Sequence, residues 1–181
     1  MLYFIILVII ILVVGIILYN SLVSSRNTVK NEWANIDVEL QRRFDLIPNL
    51  VETVKGYMKQ EETVLTEITN LRTSWNGAKT AKEKANLNNS LSNGLKSIFA
   101  VAESYPDLKS SANFVELQQE LANAETRIAS SREVYNSMVN EYNTKIDTVP
   151  TNIVASIFNF EKADLFEVEN EEVRKNVEVK F

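Results

Sequence analysis

Two aspartates stand beside helix-breaking prolines, in Arg42-Arg43-Phe44-Asp45-Leu46-Ile47-Pro48 and Tyr105-Pro106-Asp107-Leu108-Lys109. Paired carboxylates can share acid and base work when a fold brings them together. Another carboxylate, Glu61, falls on an otherwise apolar stripe, where Glu32 or Glu125 could join it around a metal ion. Little else in the chain supports such chemistry. Histidine and cysteine are absent, which removes the commonest catalytic base, the thiol nucleophile and most zinc sites. No Glu-x-x-His occurs, so the di-iron pattern of helical bundles fails, and the acidic run from Glu161 to Glu172 lacks calcium-loop spacing. Asp45 and Asp107 therefore read first as helix caps, and Glu61 as a carboxylate bonded to an arginine or a tyrosine. The expectation is a non-enzymatic protein without cofactor or metal. A net charge of −5 also disfavours a nucleic-acid partner, since phosphate binding needs clustered lysine and arginine.

The elements that must position these residues are helices. Leu2 to Leu18 is apolar apart from Tyr3 and Gly15, and at the α-helical rise it reaches about 26 Å, close to a bilayer core. A cleaved signal peptide would want a basic start and a small-residue cleavage site; no lysine or arginine precedes the run, and Tyr19-Asn20-Ser21-Leu22 is no such site. Residues 1–19 are read as a retained single-span membrane anchor. Arg26 and Lys30 follow it, so the positive-inside rule puts the helical domain in the cytoplasm and the N-terminus outside.

The fold class expected is all-α: this transmembrane helix, then an antiparallel four-helix bundle over residues 20–149, then a tail over 150–181 with a short β-like segment. Helix one carries Val29, Trp33, Ile36 and Leu40 and breaks between Phe44 and Ile47. Pro48 opens helix two in a first turn, where its missing N–H costs nothing. Leu50, Val54, Tyr57, Glu61, Val64, Ile68, Leu71 and Trp75 then follow at alternating spacings of four and three, which predicts one long helix ending near Gly77. Thr80 with Glu83 reads as a capping box for helix three. Asn113 with Glu116 does the same for helix four, which runs to Pro150. Val177, Val179 and Phe181 alternate as a strand does.

An up-and-down path through those helices sorts the exposed residues into three groups. Arg42, Arg43, Phe44, Asp45, Tyr105, Asp107 and Lys109 would share a membrane-distal tip able to dock a partner. Trp75, Lys79, Lys82 and Lys84, with Ile157 and Phe158 of the tail, would return to the bilayer surface. Tyr135-Asn136 and Tyr142-Asn143 recur seven residues apart, a ladder suited to fixing register between subunits or to bonding within the chain. With Val177, Val179 and Phe181 they form the expected oligomer interface.

Several of these stretches together resemble the LemA family. They are Ile36-Asp37-Val38, Arg42-Arg43, Asp45 to Val51 and Val54-Lys55-Gly56-Tyr57, then Tyr105 to Lys109, Asn113-Phe114, Arg132, Tyr135-Asn136, Tyr142-Asn143 and the closing Val177, Val179 and Phe181. Two departures stand out: Gln60 where the family often has histidine, and Asn159 where a glycine often sits between two phenylalanines. The resemblance implies an N-terminally anchored bacterial membrane protein with a helical-bundle domain, and it carries over no catalytic residues. The expected function is a self-associating, homo-oligomeric scaffold that presents partner-binding surfaces to membrane or envelope proteins. The alternative is a sensor bundle that binds a small ligand or peptide.

Overall fold

The computed structural model describes residues 1–57 and 62–167. Seven α-helices form among them, and no strand: α1 (Leu2–Asp45), α2 (Ile47–Lys55), α3 (Glu62–Trp75), α4 (Ala81–Ala102), α5 (Pro106–Lys109), α6 (Ala112–Asp147) and α7 (Thr151–Ile157). α1 is 44 residues long, and its opening window has a mean hydropathy of 3.3 with no residue buried. Among the described residues it is the one helix long and apolar enough to cross a membrane.

The chain divides into two compact units. The first comprises Met1–Glu39 and Thr126–Leu165. Here α1 and α6 run antiparallel, because partners on α6 fall in number as those on α1 rise. Lys145 Nζ donates to Ser25 Oγ at 2.6 Å, the rings of Trp33 and Tyr135 meet edge-on at 5.7 Å, and Arg127 pairs with Glu39 at 2.8 Å. Leu22, Val29 and Ile36 of α1 are buried at intervals of seven, as are Ile128, Tyr135 and Tyr142 of α6. A repeat of seven keeps one stripe facing a partner helix along its length. Burying each such aliphatic side chain contributes about 1.5–3 kcal/mol.

The second unit comprises Leu40–Glu125 together with Phe166 and Glu167 among the described residues. The long helix expected from Pro48 to Trp75 is two helices here. α2 ends at Lys55-Gly56, and α3 returns antiparallel, bringing Arg72 and Trp75 back to Asp45 and Phe44. Leu50, Val54, Ile68 and Trp75 of the expected stripe are buried, whereas Tyr57 is exposed; Glu61 lies outside the described residues. The break at Phe44 to Ile47 is correspondingly slight. Leu46 keeps right-handed helical angles (φ −76°, ψ −19°) between α1 and α2. Pro48 lacks only the N–H that would have bonded back to Phe44.

α3 and α4 then form a second antiparallel hairpin. Its turn matches the sequence reading: Thr80 Oγ1 accepts from Glu83 N at 3.2 Å, and the Glu83 carboxylate accepts from Thr80 N at 3.1 Å. The backbone N–H of Lys79, at 2.9 Å, and then that of Thr80 donate to the Glu83 carboxylate and hold it below its usual range. Gly94 lets the helices approach, since a Cβ there would stand 3.0 Å from Ile68 Cγ1. Beyond α5, the edge-on contact of Phe99 with Phe114 at 6.0 Å joins α4 to the start of α6.

Candidate binding surfaces

Phe44 and Trp75, assigned by sequence to opposite ends of the bundle, stack with ring centroids 4.3 Å apart. Several polar groups around them are paired. Trp75 Nε1 donates to Gln41 Oε1 at 2.8 Å, and Gln41 Nε2 donates to Asp45 Oδ1 at 2.8 Å. Arg72 Nη2 donates to the same Asp45 oxygen at 3.2 Å, and Lys84 Nζ lies 4.9 Å from the centre of the Trp75 ring. Trp75 and Lys84 thus belong with Phe44 and Asp45, not with a separate membrane-facing group. Lys79, on the turn that follows Trp75, and Lys82, in the first turn of α4, are exposed. The misplacement follows from the unseen reversal after Gly56: two helices of half the length bring the chain back where one long helix would have carried it away.

The same reversal separates the two aspartates. Asp45 lies at the end of α4 that begins beside Lys84, whereas Asp107 lies in α5, past the other end. The 22 residues of α4 span roughly 33 Å. Asp45 and Asp107 therefore form no catalytic pair. Tyr105 is half-buried and Asp107 exposed, and Lys109 pairs with Glu103 across the turn. No cluster of three metal-capable side chains occurs among the described residues. Glu32 instead accepts from Asn35 at 3.1 Å.

Arg43 departs furthest from its sequence reading. Expected at an exposed tip beside Arg42, it is only 4% exposed. Its Nη1 donates to Asn88 Oδ1 at 2.5 Å and to Ser92 Oγ at 3.0 Å, and lies 2.6 Å from Glu125 Oε2. One nitrogen with two hydrogens serves two acceptors, so Glu125 supplies charge without a hydrogen bond of its own. Burial pulls the guanidinium below its ordinary pKa, and the Glu125 carboxylate opposes that shift. A signal was present in the sequence: Leu22, Val29, Ile36 and Arg43 continue one repeat of seven. Above this network a groove of about 340 Å³ opens between α4 and the first half of α6, bordered by Asn89, Lys96, Leu95, Phe99 and Leu121.

In the first unit the tail doubles back along α6 and is held by its side chains. Tyr142 Oη donates to Glu161 O at 3.0 Å and Tyr135 Oη to Asp164 O at 2.8 Å. Asn143 grips Ala163 at two points, donating from Nδ2 to its carbonyl at 2.9 Å and accepting from its N–H at 3.0 Å. Three members of the expected subunit ladder thus bond within the chain. Asn136 is half-buried on the same helix, and Val177, Val179 and Phe181 lie outside the described residues. Burial raises the pKa of Tyr135, with Asp164 adding to it; burial also raises that of Tyr142, against the pull of Arg26.

α7 precedes this strap. Phe158 and Phe160 pack on Tyr19, at 4.7 and 5.8 Å between ring centroids, just where the apolar run of α1 ends. Arg26 lies over the Phe160 ring at 4.9 Å. Val154 and Ala155 face inward, while Ile153, Ile157 and Phe158 are 57%, 67% and 57% exposed. The turn between the two phenylalanines uses Asn159 at φ 51°, a left-handed conformation that asparagine tolerates and glycine adopts freely.

Comparison with known proteins gives a family and several relatives. Residues 32–181 match the LemA family. Magnetosome protein MamQ 2 of Paramagnetospirillum magneticum is 27% identical over 177 residues, covering 82% of this chain. Protein LemA of Metamycoplasma hominis is 27% identical over 150 residues, with 82% of this chain and 66% of the relative covered. Magnetosome protein MamQ of Magnetospirillum gryphiswaldense is 24% identical over 174 residues, also covering 82% of this chain. The chain spans 64% of the length of the two MamQ relatives. None of the three is named for a reaction.

Proposed function

The chain belongs to the LemA family, and from that premise we propose that it is a membrane-anchored, non-enzymatic scaffold. The apolar run of α1 crosses the bilayer, α7 rests on the membrane surface as a foot, and the helices beyond display binding surfaces to membrane proteins or to copies of the chain. The observation that carries this reading is the contact of Phe158 with Tyr19. It sets the exposed apolar face of Ile153, Ile157 and Phe158 at the residue where the candidate span gives way to polar sequence. Amphipathic helices with such a face bury it at the boundary between headgroups and acyl chains. Tyrosine at the end of the span suits the same boundary.

An Ile157→Trp variant of the full chain, reconstituted in vesicles with brominated lipids, tests the foot. Quenching of the new tryptophan well beyond that of Trp33 and Trp75 is expected. Fluorescence that the bromines leave untouched would remove α7 from the membrane. Self-association is tested apart from that by the mass of the full chain in mild detergent. A defined multiple of 20.6 kDa supports the scaffold, and a monomer throughout counts against an array of copies.

A further inference from the structure

The segment around α7 carries no charge. From Thr148 to Phe160 there is no Asp, Glu, Lys or Arg, and no charged side chain precedes Arg26 along α1. Tyr19, which meets Phe158, stands seven residues, roughly 10 Å of helix, before that first charge. The basic side chains that flank the segment are engaged within the protein. Lys145 pairs with Glu141 at 2.8 Å and Lys162 with Asp147 at 2.8 Å, and Arg26 lies over the Phe160 ring. On α7 the exposed positions are Ile153, Ser156 and Ile157, with exposed Phe158 just beyond and exposed Val149 just before. The other polar residues, Thr151 and Asn152, are half-buried, and the Thr151 hydroxyl donates to Thr148 O at 2.8 Å.

We infer that α7 selects loosely packed lipid and is indifferent to headgroup charge. The inference rests on the reading of α7 as a membrane foot and names the lipid surface that the foot prefers. Two contributions draw an interfacial helix onto a bilayer: burial of its apolar face, and attraction of basic residues to anionic headgroups. The second is missing here, so the first must suffice. It is small, because α7 has 7 residues and exposes two isoleucines beside one phenylalanine. In tightly packed lipid those side chains must part the acyl chains before they are buried, whereas in loosely packed lipid the gaps are already open. The apolar run of α1 makes docking intramolecular, so a foot too weak to bind alone still meets the surface at high effective concentration. A weakly held, tethered element lies near balance between inserted and withdrawn positions, where a change in lipid packing shifts the populations most.

The test uses the full chain with Ile157→Trp, its helical domain facing outward, in phosphatidylcholine vesicles holding a fixed fraction of brominated lipid. Small sonicated vesicles, whose outer leaflet is loosely packed, are compared with large extruded ones of the same lipid. Quenching of the new tryptophan is expected to be at least about twofold stronger in the small vesicles. Exchanging part of the lipid for phosphatidylglycerol, or adding concentrated salt, should leave it unchanged. Ser156→Lys in the same chain puts one basic residue on the exposed face, and its insertion should then favour the anionic vesicles about fivefold. Equal quenching in small and large vesicles would overturn the inference while leaving the foot in place. So would quenching that the chain without Ser156→Lys gains with phosphatidylglycerol and loses in salt. An identical response of Ser156→Lys to neutral and anionic vesicles would overturn it as well, because the face would then not meet the headgroups. Absence of quenching in every vesicle would remove the foot itself, and the inference with it.

Discussion

Phe44 and Trp75 lie almost face to face, their planes 13° from parallel, although 31 positions separate them. The stack closes the α2–α3 hairpin against the last turn of α1, and Gln41, Asp45, Arg72 and Lys84 tie its rim. The stack therefore ties the α2–α3 hairpin to the end of α1, in addition to the packing of α3 on α4.

Trp75→Ala is expected to destabilise the second unit by about 3–5 kcal/mol, the usual loss for a large buried aromatic. Trp75→Phe should recover most of that. A double-mutant cycle with Phe44→Leu should return a coupling of about 0.5–1.5 kcal/mol for the ring pair. Urea unfolding of the full chain in detergent reads all three.

At Arg43 the asymmetry of a buried ion should appear. Arg43→Ala strands Asn88 in the interior and is expected to cost about 3 kcal/mol or more. Glu125→Gln, whose side chain is 44% exposed, should cost at most about 1 kcal/mol because solvent screens the lost attraction. Arg43→Met combined with Asn88→Leu should be closer to wild type than Arg43→Ala. Thermal melts of the four proteins rank them.

The strap should open in alkali. Tyr135 and Tyr142 titrate higher in the folded chain than the ordinary tyrosine value near 10, through burial in both cases. Groups so raised stabilise the fold fully below about pH 10, and that contribution fades as pH climbs through the folded values. Absorbance at phenolate wavelengths, followed with a fluorophore on residue 161, should show ionisation and release together. Release well below pH 9 would contradict the assignment.

Asn159 gives a backbone prediction. Asn159→Gly should leave stability within a few tenths of a kcal/mol or raise it. Asn159→Ala should cost about 1 kcal/mol, since a Cβ without a local hydrogen-bonding group disfavours the left-handed region. Differential scanning fluorimetry resolves the difference.

Gly94 answers to packing. Gly94→Ala gains up to about 1 kcal/mol of helix propensity and presses on Ile68, so the two effects nearly cancel. Gly94→Val adds methyls against the same side chain and should lose about 1–3 kcal/mol. Equal melting points for Gly94→Ala and Gly94→Val would mean that α3 and α4 are less close than described.

Much of this was legible from local rules. The apolar run of α1, the Thr80–Glu83 box, the stop at Trp75-Asn76-Gly77 and the boundary at Pro150 all rest on short-range chemistry that a sequence displays directly. The reversal after Gly56 was hidden, because the spacing of four and three continues across it from Val54 through Tyr57 to Val64. Periodicity records which residues would share a face of one helix and cannot register that the helix has ended; Lys55-Gly56 was the only local mark. Pro48 misled in the opposite sense, since a missing N–H bends a helix without requiring the chain to turn. The charge of Arg43 points to solvent, whereas its place in the repeat of seven points to the interior, and the repeat prevails. Tyr135, Tyr142 and Asn143 stand out as a ladder, but a helix pattern does not say whether the rung is another subunit or the same chain's tail.

The strap has one more consequence. Every hydrogen bond by which Tyr135, Tyr142 and Asn143 hold it ends on a main-chain carbonyl or N–H of Glu161, Ala163 or Asp164. Main-chain atoms are the same whatever the side chain, so α6 reads the path of the tail and ignores its spelling. Positions 161 and 164, both exposed, can be recoded or carry a tag with the grip kept, while the three gripping residues cannot.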